Sequence, residues 1–140
     1  MNFLAAHTLR NDLADLRQVE PWILEFARAA GLSPAAKNAF DLALTEWLTN
    51  VINHGFTDSR EHRILVQFRT GPVPGEARIE IEDEGREFNP LQHPEVDTSL
   101  PLEQRPIGGL GIHMMRKLMD QVDYHRANGR NRLTLTRRIT

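Results

Sequence analysis

Residues 33–55 read SPAAKNAFDLALTEWLTNVINHG, and this stretch decides what kind of fold the chain can adopt. Ser33 is a natural N-cap, Pro34 suits the first helical position and Gly55 follows as a terminator, so a helix over 34–54 is predicted. At about 100° per residue, Phe40, Leu44, Trp47, Leu48, Val51 and Ile52 share one arc, which reads as the core face. Glu46, Asn50, Asn53 and His54 fall together on the other side, flanked by Ala39 and Ala43. An ordinary exposed face favours long charged residues paired at i, i+4. This stripe instead holds a carboxylate, two amides and an imidazole, with small alanines that leave room for a ligand. On the helix alone two readings stand side by side. One is a solvated polar face; the other is a set suited to a hydrated divalent cation and a phosphate chain. In the second, Asn50 offers a neutral oxygen ligand, and Glu46, one turn earlier, can orient or deprotonate a nucleophile near the metal.

Working outward, Phe3–Leu9 reads as an edge strand. Asn11 or Asp12 can cap a helical segment, which Pro21 interrupts, so a helix restarting at Pro21 and running to Ala30 is predicted, with Gly31 as its stop. Downstream, strands are expected at Arg63–Arg69 and Glu76–Asp83, the second alternating Ala77, Ile79, Ile81 against Arg78, Glu80, Glu82. A long loop with four prolines covers 90–106, and a helix follows over 111–119. Val122–Arg126 and Arg132–Arg138 then form a hairpin about Asn128-Gly129. This order gives an α/β sandwich, with helices layered on a largely antiparallel sheet.

At 140 residues, 1–140 has the size of one domain, and two would each be starved of core. The net charge of −2 argues against a nucleic-acid binder with a broad basic surface, and Arg130, Arg132, Arg137 and Arg138 read as a solvated strand edge. With no cysteine, disulfides, thiolate metal sites and cysteine nucleophiles are excluded. The histidines lack metal-ligand spacing, and no serine sits in Gly-x-Ser-x-Gly. Residues 1–10 do not read as a signal peptide, and no apolar run approaches the roughly 18 residues of a membrane helix, so a soluble, cytoplasmic chain is expected.

Two glycine-bearing blocks remain. Asp83 ends a strand and Gly85 follows, so its carboxylate can enter a pocket and receive the exocyclic amine of adenine; an exposed Asp–Gly turn is the bland alternative. Gly108-Gly-Leu-Gly111 runs into a helix, where backbone N–H groups can bind an anion, although a hinge explains it equally well. It is neither a P-loop nor a dinucleotide-binding fingerprint.

Taken in order, Glu46-x-x-x-Asn50-x-x-x-His54 resembles the N-box of the GHKL ATP-binding superfamily. Asp83-x-Gly85-x-x-Phe88-x-Pro90 resembles its first glycine box, and Gly108-Gly-Leu-Gly111 its second. Residues 44–50 and 106–120 are similar to the anti-sigma-factor serine/threonine kinases, the RsbW-like anti-sigma regulatory factors, and the likeness spans roughly Leu4 to Ile139. The resemblance implies a Bergerat fold of the α+β class: a two-layer sandwich, helices on one face of a mixed, largely antiparallel sheet. It further implies ATP and Mg²⁺ as cofactors under a lid at about 90–106. By position, Glu46 would act as general base and Asn50 would hold Mg²⁺. Asp83 would bind the adenine amine, Gly85 would allow close approach, and Arg105 would meet the γ-phosphate. Asn53, His54, Phe88, Gly108, Gly109, Leu110 and Gly111 complete the nucleotide site. The implied activity is phosphorylation of a small anti-anti-sigma (STAS-type) antagonist with sequestration of a sigma factor, by a homodimer without nucleic-acid or membrane contact. A nucleotide-gated binding switch and a detached ATP domain of a histidine kinase are the alternatives. Asn89 departs from the Asp expected in the first glycine box, and Glu84 and Glu87 make that loop acidic beside a triphosphate.

Overall fold

A computed structural model describes residues 2–92 and 109–140. In chain order it contains strand β1 (Asn2–Arg10), a 3₁₀ segment (Leu13–Gln18), helices α1 (Val19–Ala30) and α2 (Pro34–His54), and strands β2 (Arg63–Thr70) and β3 (Glu76–Asp83). A short 3₁₀ turn (Pro90–Gln92), helix α3 (Gly109–Leu118) and strands β4 (Gln121–Ala127) and β5 (Arg130–Arg138) follow. The five strands form one sheet in the order β1-β2-β3-β5-β4, and each of the four pairings is antiparallel. The architecture is the expected α+β class.

Helix α2 has the predicted bounds, and the Ser33 hydroxyl accepts from the Ala36 N–H at 3.0 Å as its cap. The expected restart at Pro21 is corrected: α1 begins at Val19, so Pro21 lies in the first turn, where a helix has no use for its amide hydrogen. The segment before it is 3₁₀, capped by Asp12, whose side chain accepts from Ala14 N at 3.0 Å. Asn128 and Gly129, with φ of 54° and 75°, make the tight turn of the β4–β5 hairpin.

The period of two in β3 buries Ala77, Ile79 and Ile81, and with them Phe40, Leu44, Leu48, Val66, Phe68, Leu133 and Leu135 build the core between sheet and helices. The same alternation carries one step further and turns Asp83 inward. In the β3–β5 register Asn131 stands opposite it, buried two residues before Leu133. On the outer face Arg69 pairs with Glu80 (3.3 Å) and Arg132 with Glu82 (2.9 Å). The arginines of the last strand therefore do not form a free basic patch: Arg130 also meets Glu84 at 2.8 Å, and Arg137 donates to the Leu118 carbonyl at 3.1 Å.

Candidate functional site

The polar stripe of α2 lines a groove with two adjoining compartments that share walls. One, about 230 Å³, is lined by Trp47, Asn50, His54, Asp83, Phe88 and Asn131 among others. The other, about 130 Å³, is lined by Glu46, Trp47, Asn50, Asn53, Gly111 and Ile112 among others. Trp47, Asn50, His54 and Ile112 belong to both. The groove thus gathers Glu46, Asn50, Asn53 and His54 with Asp83, Phe88 and Gly111 from distant parts of the sequence.

Two details of the helical wheel are corrected. Ala39 and Ala43 do not make room for a ligand: both are buried in the core cluster. Trp47, assigned to the core arc, is buried and also walls both compartments. A wheel shows which side of a helix a residue is on, not which neighbour covers it.

Asp83 is buried, and its Oδ1 accepts from the Gly85 N–H at 2.8 Å and from Asn131 Nδ2 at 2.9 Å. Its Oδ2 is buried with no hydrogen-bond partner among the described residues. Burial pushes the Asp83 carboxyl above the usual range, while the bonds from Asn131 and Gly85 and the charge of Arg126 pull the other way. A lone buried acceptor of this kind is costly unless a ligand donor meets it.

Asn131, which the sequence reading passed over, holds this corner together. Its amide nitrogen also donates to the carbonyls of Arg86 (2.9 Å) and Gly85 (3.3 Å). Its oxygen accepts from the Tyr124 hydroxyl and from Arg126 Nη1 (3.0 Å), and Arg126 reaches the Gly85 carbonyl at 2.6 Å. The spacing of Leu133 and Leu135 already turns residue 131 inward; what the sequence lacks is the strand register that sets it against Asp83.

Gly85 packs onto the end of α2. A Cβ there would lie 2.6 Å from the Gly55 carbonyl oxygen and 2.8 Å from Asp83 Oδ1, while the next residue, Arg86, donates its N–H to Gly55 at 2.8 Å. At the other compartment a Cβ on Gly111 would fall 2.5 Å from Glu46 Oε2, so α3 meets the carboxylate edge to edge. Gly109 opens α3, and Leu110 follows it in the backbone of the first turn. Gly108, Arg105 and all but the start of the expected lid lie outside the described residues. Asn89 accepts from the Leu91 N–H at 2.9 Å, a local turn role that an Asp would fill equally well.

Residues 9–137 match the family model of the histidine kinase-like ATPase domain. A Bordetella bronchiseptica protein named serine/threonine-protein kinase BtrW is 28% identical over 115 residues, which is 82% of this chain and 80% of that protein. A serine-protein kinase RsbW from Oceanobacillus iheyensis is 28% identical over 111 residues, 74% of this chain and 66% of that protein. A crystal structure of the RsbU and RsbW domains of a Mycobacterium tuberculosis protein superposes with a TM-score of 0.67 at 16% identity, covering 97% of this chain and 33% of that one. At that identity the last likeness speaks for the fold alone. With nearly its whole length matched by one family model and the matching groove built, the chain belongs to the histidine kinase-like ATPase domain family.

Proposed function

We propose that the chain is an ATP-dependent protein serine/threonine kinase of the anti-sigma type. It binds Mg-ATP in the groove, phosphorylates a small STAS-type antagonist protein and, in its ATP form, sequesters a sigma factor. It acts in the cytoplasm as a homodimer, without contact to nucleic acid or membrane. The kinase names of the relatives from Bordetella bronchiseptica and Oceanobacillus iheyensis support this reading. The observation that carries it is the pairing of Glu46 and Asn50 one turn apart, in a compartment that shares Trp47, Asn50, His54 and Ile112 with the cleft that Asp83 walls. A module that only bound nucleotide would need no carboxylate at Glu46.

The residues fit the nucleotide on one count independent of any resemblance: Asp83 Oδ2 is a buried acceptor that the amine of adenine would satisfy. Asn50, which lines both compartments, would hold Mg²⁺ through its amide oxygen together with phosphate oxygens and water. When bound, Mg²⁺ neutralises charge along the phosphate chain. Asp83 accepts the base amine and fixes the register of the nucleotide, while Asn131 and Gly85 hold that carboxylate. The first turn of α3, which begins at Gly109, would offer its backbone N–H groups to the phosphates. Glu46 takes the proton of the attacking serine or threonine hydroxyl as its oxygen bonds to the γ-phosphorus. The bridging O–P bond breaks, and ADP leaves with its electron pair. Positioning and charge stabilisation do most of the catalysis in such a transfer.

Calorimetric titration with ATP and ADP, with and without Mg²⁺, tests the reading. The protein is expected to bind Mg-ATP, and Asn50→Ala to lose about 10–100-fold in the Mg²⁺-dependent part. No binding at millimolar nucleotide would sink the proposal. Mass spectrometry of a phosphorylated partner then separates the alternatives: phosphoserine or phosphothreonine supports this kinase, phosphohistidine a divided histidine kinase, and binding without transfer a switch.

A further inference from the structure

Trp47 combines two properties that rarely meet in one core residue. It is 3% exposed, yet it walls both compartments of the groove, and its ring lies 6.2 Å from that of Phe88. Its indole Nε1–H is buried and has no acceptor among the described residues. A buried donor left unpaired is costly, whereas a phenylalanine would fill much of the same space without that cost. A tryptophan at such a position points to an acceptor that arrives with a ligand.

Asp83 lines the same cleft, and its Oδ2 is likewise buried without a partner among the described residues; it is an acceptor. The two are of opposite polarity. Adenine carries a donor, its exocyclic amine, flanked on either side by the ring nitrogens N1 and N7, both acceptors. A base that gives its amine to Asp83 therefore brings a ring nitrogen alongside, and one ligand satisfies both orphans.

We propose that Trp47 reads the base directly, its Nε1–H donating to a ring nitrogen beside the amine that Asp83 accepts. This inference rests on the groove being an ATP site and adds a specificity residue to it. It also separates the tryptophan from mere packing, because the contact depends on one hydrogen of the indole and one nitrogen of the base.

The test is a chemical cycle. Wild type and Trp47→Phe are titrated with ATP, 1-deaza-ATP and 7-deaza-ATP, and the melting temperature of each nucleotide-free protein is recorded. Trp47→Phe is expected to bind ATP about 10-fold more weakly, with a melting temperature equal to or above that of wild type. One deaza analogue is expected to bind wild type about 10-fold more weakly than ATP does, and to show no such penalty with the variant. Equal ATP affinity of wild type and variant would overturn the inference while leaving the ATP site standing. So would deaza penalties that persist unchanged in the variant, or wild type binding both analogues as tightly as ATP; the last result needs no variant to fold. If wild type binds no nucleotide at all, the functional reading falls and the role of Trp47 with it.

Discussion

Asp83→Asn is expected to weaken ATP binding about 100-fold and, at neutral pH, to raise the melting temperature of the nucleotide-free protein by about 4 °C. The first effect follows from the buried Oδ2, which an amide nitrogen would replace with a second donor facing the base amine. Losing a hydrogen bond to a charged acceptor costs about 1.5–3 kcal/mol, and opposed donors add to it. The second effect follows from burial. An ionised carboxylate in this corner is costlier to bury than an amide, by about 1 kcal/mol after its surviving hydrogen bonds are allowed for, which corresponds to a few degrees for a chain of this size. Because burial raises the Asp83 carboxyl, protonation favours the folded state. That contribution is complete below the ordinary aspartate range and is lost as pH climbs through the raised value. The stability advantage of the variant should accordingly vanish in acid and open as pH rises, while the ATP affinity of wild type falls as acid removes the acceptor. Calorimetry and thermal melts across pH check both. A variant that keeps its affinity, or melts lower at every pH, contradicts this account of the corner.

Glu46→Gln should leave ATP affinity within about threefold of wild type and slow phosphoryl transfer by about 10²–10⁴, the range for loss of a positioned general base. The amide keeps the shape of the side chain and the compartment it lines with Asn50 and Gly111. Gly111→Ala should slow the same step although it retains the Glu46 carboxylate, since its Cβ would fall 2.5 Å from Glu46 Oε2 and push that flexible side chain out of position. Single-turnover transfer to a partner serine, measured beside nucleotide affinity, distinguishes the two effects. Transfer at the wild-type rate in Glu46→Gln would remove the base from the mechanism.

Much of this groove was legible because its residues sit where local rules are strong. The capping serine and Pro34 fixed the start of α2, and a fixed start sets the phase of Glu46, Asn50 and His54 around the helix. Alternation along β3 turned Asp83 inward without any tertiary knowledge. The misses have a common cause. Asn131, the packing of Ala39 and Ala43, and the position of Trp47 in the groove wall all depend on which element lies opposite, and periodicity carries no register between strands or helices. Pro21 misled for a local reason: a proline within the first turn breaks no hydrogen bond.

The contact of Gly85 with the carbonyl end of α2, reinforced by the Arg86–Gly55 hydrogen bond, joins the Asp83 corner, proposed to take the base, to the helix that carries Asn50. ATP and ADP are identical at the adenine end, so a corner braced in this way gives both the same welcome and cannot tell them apart. In the proposed ATP site, any discrimination between the two would have to enter at the opposite end, where Gly111 abuts Glu46. One end of such a groove would work as an anchor and the other as a gauge.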